Sequence, residues 1–546
     1  MSLSLRKRGW LVLSLLLLAG LLTWVGFSRG GRPLPTGPLV TISKETTYLT
    51  EPLRPDGYVD YIAALNRQHS RGVTPTNNAA VLFIKAVGPA GIKPGHRAEY
   101  FRLLGIPPLP DTGDYYVPFD AFAKSAAAKP RPAGQKIVRQ EELMKQYLAA
   151  SGRPWSREEL PLLAEWLAAN EKPLALAVEA SKRPRFFDPL VPEGAGTMVG
   201  ASRETMRLNT DLGRGLVLRA LLRLGEGQTE EAWADLLACQ RFARLVGQGP
   251  MLIDALVAVV IEGLALSGDQ ALLENAPLTA ARALRMREEL GKLPPMPKMV
   301  DAIDGPERYM FLDCVAAVAR GESPMFEWGV PEEGPLESLR DPAARSAIDW
   351  DLVLRMGNGW YDRSADVLRQ PTRARRRAAA AAITEDIEAR AQEAKSWKSL
   401  ALDALINRRE GMSRRIGLAL IALMLPATHA AGEAADRSAM NFEATRLGFA
   451  LAAYRADHGA FPARLADLVP KYAAEIPKDL FADADLRYKL DGSGCLVYSV
   501  GSNGKDDGGK GHADRKDGED WDDLAVRLPA ARGEKGAAPA RNAPSP

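Results

Sequence analysis

The residues with the densest capacity for chemistry lie near the C-terminus. Between Gly501 and Asp523 the chain carries Asp506, Asp507, Asp514, Asp517, Glu519, Asp520, Asp522 and Asp523. Calcium is a hard cation that takes about six to eight oxygens from carboxylates, amides and backbone carbonyls. Asn503, Asp506 and Asp507 on one arm, with Asp522 and Asp523 on the other, can close such a cage. Gly501, Gly504, Gly508 and Gly509 would let intervening carbonyls turn inward. The spacing differs from the EF-hand loop, which ends on a bidentate Glu. Composition alone favours a solvated acidic loop, because Lys505, Lys510, Arg515 and Lys516 are interspersed.

Other constellations carry little chemistry. The histidines are His69, His96, His429, His458 and His512; none sits in H-E-x-x-H, and no pair is spaced to share a helix face. No G-x-S-x-G elbow is present. Glu193 to Gly200 is glycine-rich but has no Lys-Ser/Thr pair and no preceding strand, so it reads as a flexible loop. Asp254 and Glu262 lie about 12 Å apart along a helix axis, beyond the ~5–9.5 Å separating paired glycosidase acids. They are expected to meet nearby arginines. Arg373, Arg375, Arg376 and Arg377 form the densest basic cluster, with no interleaved aromatics for base stacking. It reads as a solvated helix end with Glu385, Asp386 and Glu388 as local partners. Cys239, Cys314 and Cys495 are odd in number and scattered, which supports neither a disulfide framework nor a zinc knuckle. Trp233 and Phe242 are read as core.

These residues belong to a chain of 546, long enough for several domains. Hydrophobic residues make up 46% and charged residues 25%, so the chain is not largely disordered. A mean hydropathy of -0.17 excludes a polytopic membrane protein. Basic and acidic residues number 71 and 68, a net of +3, so no global field argues for nucleic acid.

The N-terminus predicts a membrane address. Arg6, Lys7 and Arg8 precede an uncharged, leucine-rich run from Trp10 to Phe27, with Trp10 and Trp24 near its ends. A helix of that length rises about 27 Å, near the hydrocarbon thickness, and the basic cluster favours a cytoplasmic N-terminus. The exit, Val25-Gly26-Phe27-Ser28-Arg29, is a poor signal-peptidase site, so an uncleaved anchor is favoured over a cleaved leader. The expected order is a basic cytoplasmic tail (1–9), a transmembrane anchor (10–27), a Pro/Gly-rich stalk (28–56), a large irregular helical domain (57–410), a small α+β module (411–529) and a disordered tail (530–546). In the helical domain the clearest signal is an αα-hairpin over 214–247, tetratricopeptide-like, with Gly225-Glu226-Gly227-Gln228 as its turn and Thr229 as N-cap.

The C-terminal module combines a helix over about 435–458, stopped by Gly459, with strand-like pieces. Leu486 to Leu490 alternates, Asp491-Gly492-Ser493-Gly494 is a turn, Cys495 to Val500 is the partner strand, and Leu524 to Leu528 can form a third. Three segments carry a resemblance: Leu451 to Pro462 at the helix exit, Ile476-Pro477-Lys478-Asp479, and Tyr498 to Gly509. Over roughly 435–528 the chain resembles the globular domain of bacterial type II secretion major pseudopilins. The resemblance implies a long helix packed on a small antiparallel sheet, with a calcium-binding loop. The chain departs from it at two places: Ser14 stands where the family carries a Glu in its apolar helix, and Leu480, after Lys478-Asp479, where it carries a proline.

The combined expectation is a mainly α fold with an N-terminal transmembrane helix, a large helical domain and the pseudopilin-like module. It describes a single-pass protein of the inner membrane and bacterial envelope with its bulk extracytoplasmic. It would be a non-enzymatic interaction scaffold with a protein partner, no nucleic acid, and calcium as its cofactor. The alternatives are an envelope hydrolase with its active site in the helical domain and an atypical type II secretion system component.

Overall fold

The computed structural model describes residues 37–128, 139–193, 196–201, 205–322, 339, 341–395, 408–425, 427–516 and 518–529. The fold is mainly helical. First come α1 (Tyr61–His69), α2 (Ala79–Val87), α3 (Arg97–Leu104), α4 (Phe119–Ala128), α5 (Gln140–Ala150), α6 (Pro161–Ala169) and α7 (Glu171–Ala180). Their starts follow local chemistry. Asp60 accepts from Ala63 N and Asn78 from Ala80 N, each satisfying an orphan donor of a first turn.

A central layer follows, with α8 (Thr205–Gly225), α9 (Thr229–Val246) and α10 (Leu252–Asn275) packed side by side, then α11 (Ala280–Gly291). The αα-hairpin forms, but Gln228 occupies the N-cap position and Thr229 is already helical, with no side-chain cap. Trp233 and Phe242 are core: Phe242 stacks on Phe83 at 4.0 Å and Trp233 meets Phe449 edge-on at 5.5 Å. Beyond lie α12 (Met299–Ala302), a π-turn at Ile303–Glu307, α13 (Arg308–Arg320), α14 (Pro342–Ser346), α15 (Trp350–Arg369), α16 (Arg373–Lys395), α17 (Arg408–Met424) and α18 (Ala427–His458). The strands are β1 (Lys478–Asp479), β2 (Ala484–Asp485), β3 (Arg487–Asp491), β4 (Gly494–Ser499) and β5 (Leu524–Leu528). β1 pairs with β2, while β3-β4-β5 is an antiparallel sheet packed against α18.

The fold class requires one correction. Among the described residues no helix is long and apolar enough to cross a membrane. The transmembrane helix of the sequence reading falls at 10–27, outside the described residues, and is not part of the observed fold.

The apolar interior also divides the chain differently from a boundary near 410. One core joins α2 to α11 with the second half of α18 and the sheet. The other joins α1, α13, α15 and α17 with Val40 and Met251. α10 and α18 thread both, since Ala255 and Ala431 lie in the second core while Leu272 and Leu447 lie in the first. The described part of the expected stalk, 37–56, is packed down. Thr41 bonds Asp351 through its N–H at 2.7 Å and its hydroxyl at 2.6 Å, and Asn358 Nδ2 donates to the Glu45 and Thr46 carbonyls at 2.9 Å.

The basic cluster is only in part a solvated helix end: Arg375 and Arg377 are exposed, but Arg373 and Arg376 are not. Arg373, 7% exposed, pairs with Glu433 at 2.6 Å, and Arg376 holds Asp436 at 2.7 Å, so α16 clamps α18. Asp386 pairs instead with Arg363 and Arg390. Glu262 meets an arginine as expected, Arg244 at 2.6 Å, whereas Asp254 accepts from Met251 N at 2.9 Å and caps its own helix.

Two glycines on α15 separate packing from propensity. A Cβ on Gly357 would lie 2.0 Å from the Phe311 ring, and one on Gly359 would meet nothing. Gly357→Ala should therefore destabilise by about 1–3 kcal/mol through overpacking, and Gly359→Ala should stabilise by roughly 0.5–1 kcal/mol, read as opposite shifts of the urea midpoint.

A buried acid predicts a pH dependence. Asp269 is fully buried, accepts from Gln240 Nε2 at 2.8 Å through one oxygen and has no partner at the other. Burial pushes its carboxyl up to about 7. Between the ordinary carboxyl range and about pH 7 the folded state holds a proton the unfolded chain has lost, so this contribution falls as pH rises through the window. Asp269→Asn should flatten that fall in denaturant midpoints measured from about pH 4 to pH 8.

Candidate metal centre

Sheet register brings the two acidic arms together. β4 pairs with β5 so that Ser499 faces Leu524. The chain that leaves the sheet at Val500 therefore returns beside it at Asp523. Gly501, at φ +68°, sits where a Cβ would lie 2.2 Å from the Asp522 carbonyl, so only glycine permits the approach. Gly509, at φ +82°, would put a Cβ 2.6 Å from Leu496. The closure is hydrogen-bonded: Gly509 N donates to Asp523 Oδ2 at 2.7 Å and Asp523 N to the Lys510 carbonyl at 3.1 Å.

Of the five residues expected to bind the ion, the structure converges three. Asp507, Asp522 and Asp523 each offer an oxygen within 4.8 Å of the others. A shell with ligands at about 2.3–2.6 Å spans no more than about 5 Å between opposite oxygens, so the separation fits one calcium. Asp522 and Asp523 are buried, at 5% and 3% exposure. Asp522 Oδ2 accepts from Ser502 N at 2.9 Å and Asn503 N at 3.2 Å, which fixes that carboxylate without occupying all its lone pairs. Asp523 Oδ1 is buried with no hydrogen-bond partner. Burial pushes the Asp523 carboxyl up to about 6, opposed by the Gly509 and Asp507 backbone N–H groups and reinforced by the Asp507 and Asp506 charges.

The other two do not converge. Asp506 turns to the sheet, accepting from Tyr498 OH at 2.9 Å and Gly508 N at 3.0 Å and pairing with Arg487 at 3.5 Å. Asn503 acts as a brace. Its Nδ2 donates to Asp507 Oδ2 at 3.0 Å and the Asp520 carbonyl at 2.7 Å, and its Oδ1 accepts from Lys505 N. Asp514 caps Gly511 N and Asp520 pairs with Arg515, both with exposed side chains. Asp517 lies outside the described residues.

Two supporting residues escape sequence analysis. Arg437, from α18, donates to Asp522 Oδ2 at 3.2 Å and brings a positive charge to the cluster. Asp479, 1% exposed, accepts from Ser499 Oγ at 2.7 Å, Val500 N at 3.0 Å and Phe481 N at 2.9 Å. It ties the start of the acidic loop to β1. The Asx-type bond to Phe481, two residues on, is the part a sequence could signal; the long-range bonds had no local signature.

Replacing Asp479 by Ala should leave Val500 N buried without its acceptor. A loss of about 1–3 kcal/mol is expected, measured by guanidinium denaturation of the full chain, with Asp479→Asn intermediate because it keeps one acceptor oxygen.

No family model matches the chain, and no curated protein or solved structure matches it.

Proposed function

We propose that the protein is a non-enzymatic interaction scaffold whose C-terminal α+β module is held in shape by calcium. The observation that carries this reading is the convergence of Asp507, Asp522 and Asp523, together with a buried Asp523 Oδ1 that has no hydrogen-bond partner. Without a cation, the buried oxygen and the mutual repulsion of three carboxylates oppose the closed loop. A calcium ion would be held by these three residues and would cross-link the chain leaving β4 to the chain entering β5. It would supply structural charge neutralisation rather than reaction chemistry. An extracytoplasmic setting suits such a site, since calcium there is abundant enough for modest-affinity modules. The partner is a protein.

Calcium should raise the melting temperature of the full chain over that in chelator. Saturation at about 100 times Kd corresponds to about 2.7 kcal/mol. Magnesium should substitute poorly, because its octahedral shell is smaller and stricter. Asp507→Asn with Asp523→Asn should abolish the shift while leaving helical circular dichroism intact. A calcium shift equal in wild type and double variant would reject the site.

A further inference from the structure

Among the described residues only α10 carries two large apolar side chains that are well exposed, Ile253 at 44% and Val260 at 48%. Val257 and Leu264 lie on the same helix face and are half-buried. This face follows from the place of α10 at the seam between the two cores. Leu256 and Val259 lean on one core, Val257 and Leu264 on the other, and the line between them is left outside.

The spacing says what kind of surface suits it. Ile253, Val257, Val260 and Leu264 are separated by four, three and four residues. That alternation is the seam of a coiled coil, whose side chains seat between those of a facing helix. α10 is already held by the fold, so pairing along it does not require ordering a helix.

Charge narrows the occupant. α10 has no lysine or arginine. Its buried acids are turned inward: Asp254 caps the helix, Glu262 meets Arg244 and Asp269 meets Gln240. From Ile253 to Ser267 every exposed or half-buried residue is uncharged. A helix that lies on a membrane surface carries a basic polar face, and a foreign partner chosen by charge would find none to read. A second copy of the same face fits without either. Turned antiparallel about a two-fold axis, Ile253 faces Leu264 of the second copy and Val257 faces Val260 of the second copy. Each layer is then apolar against apolar, and no like charges are apposed. We infer that this face of α10 pairs with itself in a symmetric antiparallel dimer. The seam from Ile253 to Leu264 spans about 17 Å of helix. It falls short of the roughly 1,200 Å² that specific stable complexes bury, so the dimer is weak and concentration-dependent. The inference goes beyond the scaffold reading and is independent of the calcium loop.

Sedimentation velocity of the full chain from micromolar to near-millimolar concentration, in calcium and in chelator, tests it. Wild type should pass from monomer to dimer in both, which separates this inference from the calcium site. Val260→Lys should weaken association at least about tenfold, because it buries an unpaired charge, with circular dichroism unchanged. Under oxidation, a mixture of the Ile253→Cys and Leu264→Cys proteins should form a disulfide-linked dimer. Ile253→Cys alone should not, because in the antiparallel pair its two copies sit about 17 Å apart, beyond disulfide reach. The native cysteines are all buried and do not compete. A wild type that stays monomeric, a Val260→Lys protein that associates as wild type does, or faster linking of Ile253→Cys alone than of the mixture would each overturn the inference. Two monomeric outcomes also name the other occupants. Binding to phosphatidylcholine vesicles that Val260→Lys abolishes would assign the face to lipid, and an Ile253→Cys thiol closed to maleimide would mean that the chain itself covers it.

Discussion

The arrangement hangs on one ion pair inside the protein. Arg244 on α9 and Glu262 on α10 meet at 2.6 Å with side chains 4% and 1% exposed. Ser438 on α18 donates to the other Glu262 oxygen. The same guanidinium donates to the Gln240 carbonyl and amide oxygen, at 3.0 and 2.9 Å, and to the Pro294 carbonyl at 3.2 Å, and it lies 4.8 Å from the Phe442 ring centroid. Burying both charges is costly, and their mutual attraction offsets that cost only when the remaining donors and acceptors are satisfied. Here three helices supply the partners. Displacing α18 from α9 and α10 would leave the two charges paired but take the Ser438 hydroxyl from Glu262 and the Phe442 ring from Arg244, so the pair offers α18 a specific polar and aromatic docking point in the interior.

That docking sets the geometry of everything after it. α18 carries Glu433 and Asp436 to the α16 arginines at one end and the sheet at the other. Between them Arg437 reaches Asp522. The acidic loop is therefore not an appendage. Arg373 also donates to the Ser502 carbonyl at 3.4 Å and lies 4.4 Å from the Phe481 ring, so the cationic start of α16 touches both the helix and the loop it supports. Positive charge delivered from α16 and α18 partly balances the carboxylates from outside, while the inner face of Asp523 has no such partner.

A second set of buried charges organises the other core. Arg308, 1% exposed, bonds Asp304 within the π-turn, Asp362 at 2.7 Å and the Asn358 carbonyl at 3.3 Å, and lies 4.5 Å from the Tyr48 ring. Asn358 in turn holds the backbone at residues 45 and 46. This is how a proline- and glycine-rich stretch with no helix of its own becomes part of a core: its carbonyls are taken up by a helix side chain, which removes the penalty of burying them.

Local features of the chain determined most of its elements. The αα-hairpin, the C-terminal helix and the β3–β4 turn follow from periodicity and glycine placement, which act within a few residues. The acidic loop was legible as a place for a cation because the residue types alone limit what can be done there. What tertiary structure decided was which of those groups meet. Asp507, Asp522 and Asp523 converge, while Asp506 and Asn503 turn away, because strand register and the bonds of Tyr498 and Lys505 set side-chain direction over distances that spacing does not encode. The partners of Arg373 and Arg376 were equally hidden. Carboxylates a short way along the same helix are visible in sequence, but those chosen lie 60 residues away and become neighbours only because α18 docks against α16. An ion pair depends on distance in space, and the chain fixes that distance only once its apolar surfaces have been buried.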